Sequence, residues 1–178
     1  MFITIDYPAS LAQIAIEHTL FALEIIPGQL PPIAHSPYRP EYDWLFTTER
    51  RIARELEPWL KPYRFELIGE KGILCEALAN AFCHGHRKRY DLPIAITAIL
   101  GKNGVLVSIT DQGQGFDVDD VLKRVATGQP YYHIAGNGMD RLAQSVNFQV
   151  FFDQGGRRCN ILHFFKETKQ FKPNTARC

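Results

Sequence analysis

The sequence predicts an α/β protein in which helices pack against a mainly antiparallel sheet. Two pairs of β-rich runs, over 92–110 and 148–165, are each joined by a short glycine-containing turn, and such hairpins are antiparallel. A helical period of apolar residues precedes each hairpin, over 73–84 and 139–146. With 178 residues, the chain is long enough for one autonomous core.

The N-terminal part carries three predicted elements. Residues 2–7 alternate like a short strand, and residues 10–25 follow a helical pattern that begins at Ser10, a candidate N-cap. Five prolines then fall within residues 27–40, and proline disfavours both helix and central strand. We therefore expect an extended surface segment there and an N-terminal appendage over residues 1–45.

The next two elements are helices. One is predicted over 47–57, with Thr48 as a candidate cap and Pro58 disturbing its end. The second, over 73–84, has a continuous apolar face, and Gly85 is typical of a residue that ends a helix.

The C-terminal half alternates strands with polar segments. A polar segment that allows a short helix separates the first hairpin from the helix at 139–146, and a polar tail follows the second hairpin. The predicted strands cover 92–100 and 105–110 in the first hairpin and 148–152 and 157–165 in the second. The polar segment covers 117–135, and the tail covers 167–178. The adjacent pairs Phe151-Phe152 and Phe164-Phe165 would place one ring on each face of the sheet.

Composition excludes several classes of function. The formal charge is +1, from 20 Lys and Arg against 19 Asp and Glu, so overall charge does not attract nucleic acid or an anionic membrane. No apolar run approaches the ~18 residues of a membrane helix, and the N-terminus lacks a secretory pattern. The expected compartment is the cytoplasm.

The segment Cys83-His84-Gly85-His86 lacks the second pair of ligands that a zinc site needs.

Three polar residues lie on one face of the helix at 73–84. Glu76, Asn80 and His84 are each four residues apart, which separates neighbours by about 40° around the axis. Alone, the stripe is best interpreted as a solvated face.

Two glycine motifs change that interpretation. Asp111-Gln112-Gly113-Gln114-Gly115 follows a strand, and Gly136-Asn137-Gly138-Met139 opens a helix, where free N–H groups favour phosphate.

The order of these motifs resembles that of the GHKL, or Bergerat-fold, ATPases. Within them the sequence looks most like the anti-sigma factor serine kinases of bacteria, over roughly residues 47–165. Residues 76–84 match the N box, 111–115 the G1 box and 136–139 the G2 box. The resemblance implies an ATP-binding domain over 46–166. It also implies a Bergerat-type, two-layer α+β sandwich with a mixed, mainly antiparallel sheet and helices on one face.

The resemblance also implies a role for each matching residue. Glu76 would act as general base, Asn80 would give its amide oxygen to Mg²⁺, and Asp111 would accept a hydrogen bond from the adenine amine. Residues 116–135 would form the ATP lid. The remaining nucleotide-binding positions would be His84, Gly113, Gly115, Gly136, Gly138 and Met139. For His84, a role at the helix end remains equally open.

The sequence departs from the family pattern at two places. Met139 stands where leucine is usual. In the last hairpin, Gly155-Gly156 is followed by Arg157 where the family often has a Gly-Thr pair.

The activity implied is that of a serine/threonine protein kinase dependent on ATP and Mg²⁺. Its partners would be an anti-anti-sigma protein of the STAS type, a sigma factor, or both, with no direct contact to nucleic acid or membrane. A homodimer is left open. One alternative is a nucleotide-responsive protein-binding module without turnover. Another is a detached histidine-kinase catalytic domain, for which the predicted helix over 10–25, with His18, is short.

Overall fold

A computed structural model of the chain describes residues 5–33, 36–129 and 137–166, apart from the side chains of Asn137 and Asp140. The helices are α1 Tyr7–Ile14, α2 Asp43–Leu60, α3 Arg64–Leu67, α4 Ile73–Asn80, α5 Val118–Ala126 and α6 Asn137–Gln144. The strands are β1 Ile16–Ile25, β2 Ile94–Gly101, β3 Gly104–Thr110, β4 Gln149–Asp153 and β5 Arg158–Phe164.

The five strands form one sheet in the order β1-β2-β3-β5-β4, and the pairs between neighbouring strands are antiparallel throughout the described chain. Both predicted hairpins are confirmed, because β2 pairs with β3 and β4 pairs with β5. Together with the helices, this sheet confirms the predicted α+β class.

The main core lies between the sheet and helices α2, α4 and α6. Its fully buried side chains include Ile52 and Leu56 from α2, Leu78 from α4, and Ile96 from β2. The predicted apolar face of the helix at 73–84 is the face that packs here, because its period matches the turn of an α-helix. Packing of α4 against the sheet brings its polar stripe to the edge of the core.

The opposite face of the sheet carries a smaller cluster. Ile14 of α1 is fully buried there, against Ile99, Leu106 and Leu162. The prediction that helices lie on one face therefore holds for α2, α4 and α6, but α1 lies on the other. Each adjacent phenylalanine pair is split as predicted. Phe151 and Phe164 belong to the cluster under α1, whereas Phe152 and Phe165 pack on the main core.

The predicted helix over 10–25 is wrong. The helix ends at Ile14, where Ala15 adopts a left-handed conformation, and β1 then pairs with β2 along the sheet edge. The apolar residues of this segment fit both the period of a helix and that of a strand. The open edge of β2 favours the strand, because pairing with β2 satisfies the backbone hydrogen bonds of this segment. The strand predicted over 2–7 is also wrong where it is described, since Asp6 caps α1 through a 2.7 Å hydrogen bond from the Ala9 amide.

The proline segment runs against α2. Tyr38 donates a hydrogen bond of 2.9 Å to Glu49 of α2, and Pro27 is buried in a short 3₁₀ turn. The helix α2 begins four residues before the predicted start, so Thr48 is not its cap. The Thr48 hydroxyl is buried and donates to the Trp44 carbonyl at 2.7 Å. The division into an appendage before residue 46 and a domain after it stays a prediction.

The predicted helix over 73–84 changes character at its end. Regular α-helix stops at Asn80, and Ala81–Gly85 form one π-helical turn. This turn is closed by a hydrogen bond from the His86 amide to the Ala81 carbonyl, at 2.9 Å. Such insertions are frequent at functional sites, and this one lies beside the polar stripe.

Glu66 of α3 fastens the segment between α6 and β4. Its carboxylate accepts hydrogen bonds from the Ser145 hydroxyl, the Val146 amide, and the backbone and side chain of Asn147, at 2.5–3.3 Å. Burial alone would raise the pKa of the Glu66 carboxyl, but these donors outweigh burial and the pKa is lowered.

We expect Glu66→Ala to lower the free energy of unfolding by about 1–3 kcal/mol, because several donors lose their acceptor. Since the folded state lowers this pKa, the contribution is present above the ordinary pKa of glutamate, near ~4.3, and disappears as pH falls through the lowered value. Urea unfolding at neutral and acidic pH measures both effects. Glu55→Ala, at an exposed site on α2, is the control. Equal stability of the two variants at neutral pH would contradict the prediction.

Candidate functional site

A cavity opens between α4, the end of β3 and the second hairpin. Five of the predicted site residues line it: Asn80, His84, Asp111, Gly115 and Met139. Of the others, Gly113 is hydrogen-bonded to Asp111, whereas Glu76 and Gly138 meet beside Asn80. Gly136 lies outside the described residues. The predicted motifs, which are far apart in sequence, therefore come together around one cavity.

Asp111 lies at the end of β3 and is 9% exposed. The Gly113 amide donates to its Oδ1 at 2.7 Å, so the chain turns back on the carboxylate. Burial raises the pKa of Asp111, while the Gly113 hydrogen bond and the charge of Arg157 oppose the shift. An ionised carboxylate accepts hydrogen bonds only, so Oδ2 can select a ligand that presents an N–H group.

Gly85 is a site residue that sequence reasoning missed, because we predicted it only as the end of a helix. A Cβ atom at this position would lie 2.5 Å from Asp111 Oδ1, closer than real side chains approach. The close approach of the π-helical turn to Asp111 therefore requires glycine here. No local pattern reveals this, because Asp111 is far along the chain.

Glu76 lies where α4 faces α6. Its Oε1 accepts a short hydrogen bond from Arg141, which also donates to the Glu70 carbonyl at 3.2 Å. The Glu76 side chain is 12% exposed and that of Arg141 is 38% exposed. Sequence reasoning missed Arg141, although it lies three residues after Gly138 and thus on the same side of α6.

Gly138 allows this carboxylate to reach the start of α6. A Cβ atom there would lie 2.6 Å from Glu76 Oε2 and 3.6 Å from Asn80 Oδ1. Glu76 therefore has one oxygen held by Arg141 and the other directed at the Gly138 backbone. Alanine at this position would have to displace the carboxylate.

We expect Gly138→Ala to displace the Glu76 carboxylate and so to slow, at least tenfold, any reaction in which Glu76 takes part, without lowering stability. Alanine favours a helix by up to about 1 kcal/mol relative to glycine, whereas the added Cβ pushes Glu76 away from its position. Thermal unfolding measures stability, and the rate of that reaction measures the displacement of the carboxylate. Gln144→Ala, at an exposed site on the same helix, is the control. Full activity of Gly138→Ala would contradict the close approach.

Asn80 presents a buried amide to the cavity. Its Nδ2 atom has no hydrogen-bond partner within the described parts of the chain, and its side chain lines the cavity wall. Buried polar atoms are almost always paired, so this amide suits a position that a polar ligand completes. Its oxygen is a suitable ligand for a hard cation such as Mg²⁺.

The second hairpin closes the cavity on the side of Asp111. The Asp111 amide donates to the Arg157 carbonyl at 3.0 Å, and the Phe116 amide donates to the Gly155 carbonyl at 2.8 Å. Arg157 and the buried Cys159 line the wall of the cavity on this side. Hydrogen bonds at both ends thus hold the 111–116 segment against this hairpin.

A second groove lies on the side of α4 that faces the proline segment. Its walls include Tyr38, Arg39 and Tyr42 from the N-terminal part, and Glu76 and Ala79 from α4. Glu76 is therefore accessible from this groove, while its Oε2 faces Gly138 near the first cavity.

Comparison with known proteins places the chain near one class of regulators. No family model matches the chain. The chain is 27% identical over 95 residues to an anti-sigma F factor of Heyndrickxia coagulans, covering 51% of this chain and 65% of that protein. It is 33% identical over 81 residues to the anti-sigma F factor of Priestia megaterium, covering 44% of this chain and 55% of that protein.

These similarities make the chain a distant relative of the anti-sigma F factors. The chain spans less than two thirds of the length of either relative, so the activity of the whole relative is not transferred by similarity. In the described part of the chain, no helix combines the length and the apolar character needed to cross a bilayer.

Proposed function

We propose that the protein binds ATP with Mg²⁺ and phosphorylates a serine or threonine of a partner protein that regulates a sigma factor. The observation that carries this proposal is the meeting of Asn80, Asp111 and Gly115 around one cavity, with Glu76 and Gly138 beside it. The distant relationship to anti-sigma F factors supports a regulatory role in sigma control.

The residues of the cavity fit a purine nucleotide. Asp111 would accept a hydrogen bond from the exocyclic amine of adenine through the oxygen that Gly113 does not use. Asn80 would supply its amide oxygen to Mg²⁺, and the start of α6 at Gly138 would approach the phosphates. The bound nucleotide would supply the phosphoryl group, and these side chains would orient it.

Glu76 would act on the acceptor hydroxyl. Its Oε2 would take the proton as the hydroxyl oxygen attacks, while Arg141 holds Oε1 and fixes the orientation of the carboxylate. The groove lined by Tyr38, Arg39 and Tyr42 gives a protein segment access to Glu76 from outside the cavity. The acceptor would be a residue of an anti-anti-sigma protein of the STAS type.

Incubation with Mg²⁺ and labelled ATP tests this proposal, with STAS-type proteins and sigma factors as candidate partners. We expect label to appear on one STAS-type protein, and we expect a sigma factor to bind in the presence of nucleotide. Absence of transfer to every STAS-type protein, with ADP binding intact, would contradict the kinase proposal.

The second candidate is a nucleotide-responsive binding module without turnover. The ion pair between Glu76 and Arg141 favours it, because Arg141 occupies one oxygen of the carboxylate that a kinase would need as its base. The replacement of the Gly-Thr pair by Gly156-Arg157 favours it as well. By contrast, the histidine-kinase alternative loses its basis, because His18 lies in β1 and not in a dimerisation helix.

A further inference from the structure

His86 touches the segment that carries Asp111. It follows the π-helical turn, is 2% exposed, and its Nε2 accepts a hydrogen bond of 3.0 Å from the Gln112 amide. Gln112 is the residue next to Asp111. In the sequence, His86 stands out only within the segment Cys83-His84-Gly85-His86, and its contact with Gln112 has no role in the site described above.

We propose that His86 is a positioning residue that holds the Asp111 loop in its ligand-binding conformation, and that protonation of His86 releases the loop. The role in ligand binding rests on the proposed function, because the ligand is the nucleotide that Asp111 would select. The hydrogen bond between His86 and Gln112 does not depend on the proposed function.

The packing around His86 makes the contact a structural link. Gly85, its neighbour, lies directly against the Asp111 carboxylate and against the Gly113 backbone. The Gly113 amide in turn donates to Asp111 at 2.7 Å. Residues 85–86 therefore support three successive residues of the loop, and the His86 side chain contributes the hydrogen bond to Gln112.

The chemistry of the imidazole makes this hydrogen bond depend on protonation. Nε2 accepts only while the ring is neutral, so the ring proton then resides on Nδ1. Nδ1 is buried and has no hydrogen-bond partner within the described residues. When the ring is protonated, both nitrogens are donors, and the Nε2–H group opposes the Gln112 N–H group.

Burial and the charge of Arg89 keep the His86 ring neutral near pH 7. Burial lowers the pKa of His86, the positive charge of Arg89 lowers it further, and Asp91 opposes them. Across the contact, the titratable group is Asp111, whose own pKa is raised by burial. The contact is therefore present at neutral pH and is lost as pH falls below the ordinary range of histidine. Asp111 adds its own titration, which the His86→Gln variant retains.

Nuclear magnetic resonance of the free protein tests the contact. We expect the Gln112 amide of the wild-type chain to change its chemical shift with the same midpoint as the His86 ring. In His86→Gln, whose amide oxygen can accept the same hydrogen bond, that titration is expected to disappear. His18→Gln, at an exposed site in β1, is expected to leave it unchanged. A Gln112 amide that does not follow the His86 ring in the wild-type chain would overturn the proposal.

Calorimetric titration with ADP tests the consequence for binding. As pH falls from about 7.5 to about 5, into the range below the ordinary pKa of histidine, we expect wild-type affinity to fall roughly tenfold. His86→Gln should retain neutral-pH affinity within about threefold and lose most of that dependence, whereas His86→Leu should bind roughly tenfold more weakly at both pH values. An unchanged pH dependence in a folded His86→Gln would overturn the proposal. If the Gln112 amide follows the His86 ring but wild-type protein does not bind ADP, the contact stands and the proposed function fails.

Discussion

Asp111→Asn is expected to weaken ADP binding by about 30- to 100-fold, which corresponds to roughly 2–3 kcal/mol for a hydrogen bond to a buried charged group. The Gly113 amide already donates to Oδ1. An asparagine that keeps its oxygen there must direct its NH₂ group at the ligand, where it opposes the N–H groups of an amine. The reverse orientation would oppose the Gly113 amide instead.

The same substitution should not destabilise the fold at neutral pH. Burial raises the pKa of Asp111, so the folded protein is more stable below the ordinary pKa of aspartate and loses that advantage as pH rises through the raised value. Asparagine removes this dependence. Calorimetry with ADP and ATP, with and without Mg²⁺, measures affinity, and thermal unfolding measures stability.

The matched control is Glu55→Gln, which makes the same change of charge at an exposed site on α2. It should leave both quantities unchanged. Affinity of Asp111→Asn within threefold of the wild type would remove Asp111 from the proposed nucleotide site.

Glu76→Gln is expected to slow phosphoryl transfer by about 10²- to 10⁴-fold, the usual contribution of a general base. ADP affinity should stay within about threefold, because Glu76 is directed at Gly138 and Arg141 and is not among the residues that line the cavity. Single-turnover transfer from labelled ATP to the STAS-type partner measures the rate, and calorimetry measures the affinity.

Glu17→Gln, at an exposed position of β1, controls for the change in charge. A transfer rate in Glu76→Gln equal to that of the wild type would remove Glu76 from the general-base role. If neither the wild type nor Glu76→Gln transfers phosphate, and both bind the partner equally in the presence of ATP, the result favours the alternative of a binding module without turnover.

Elements with strong local signals agree best between sequence and structure. The turns at 101–104 and 153–156 are short and contain glycine, so each hairpin forms from neighbouring residues and was predicted correctly. The helix predicted over 10–25 was wrong because its apolar residues fit both the helical and the strand period. Only pairing with the edge of β2 distinguishes the two. The end of the helix at Asn80 was missed because a π-helical turn has no local signature.

The sequence by itself determined which residue types stand in the three motifs and in what order, and so predicted the class of fold and the positions to inspect. Tertiary structure alone decided the partners of those residues: Gly85 and His86 against the Asp111 loop, and Arg141 against Glu76. The physical reason is distance along the chain. The apolar period of a helix or strand and the residues of a turn act over a few positions in sequence. Each of these contacts instead joins segments that meet only when helices α4 and α6 and strand β3 pack around one core.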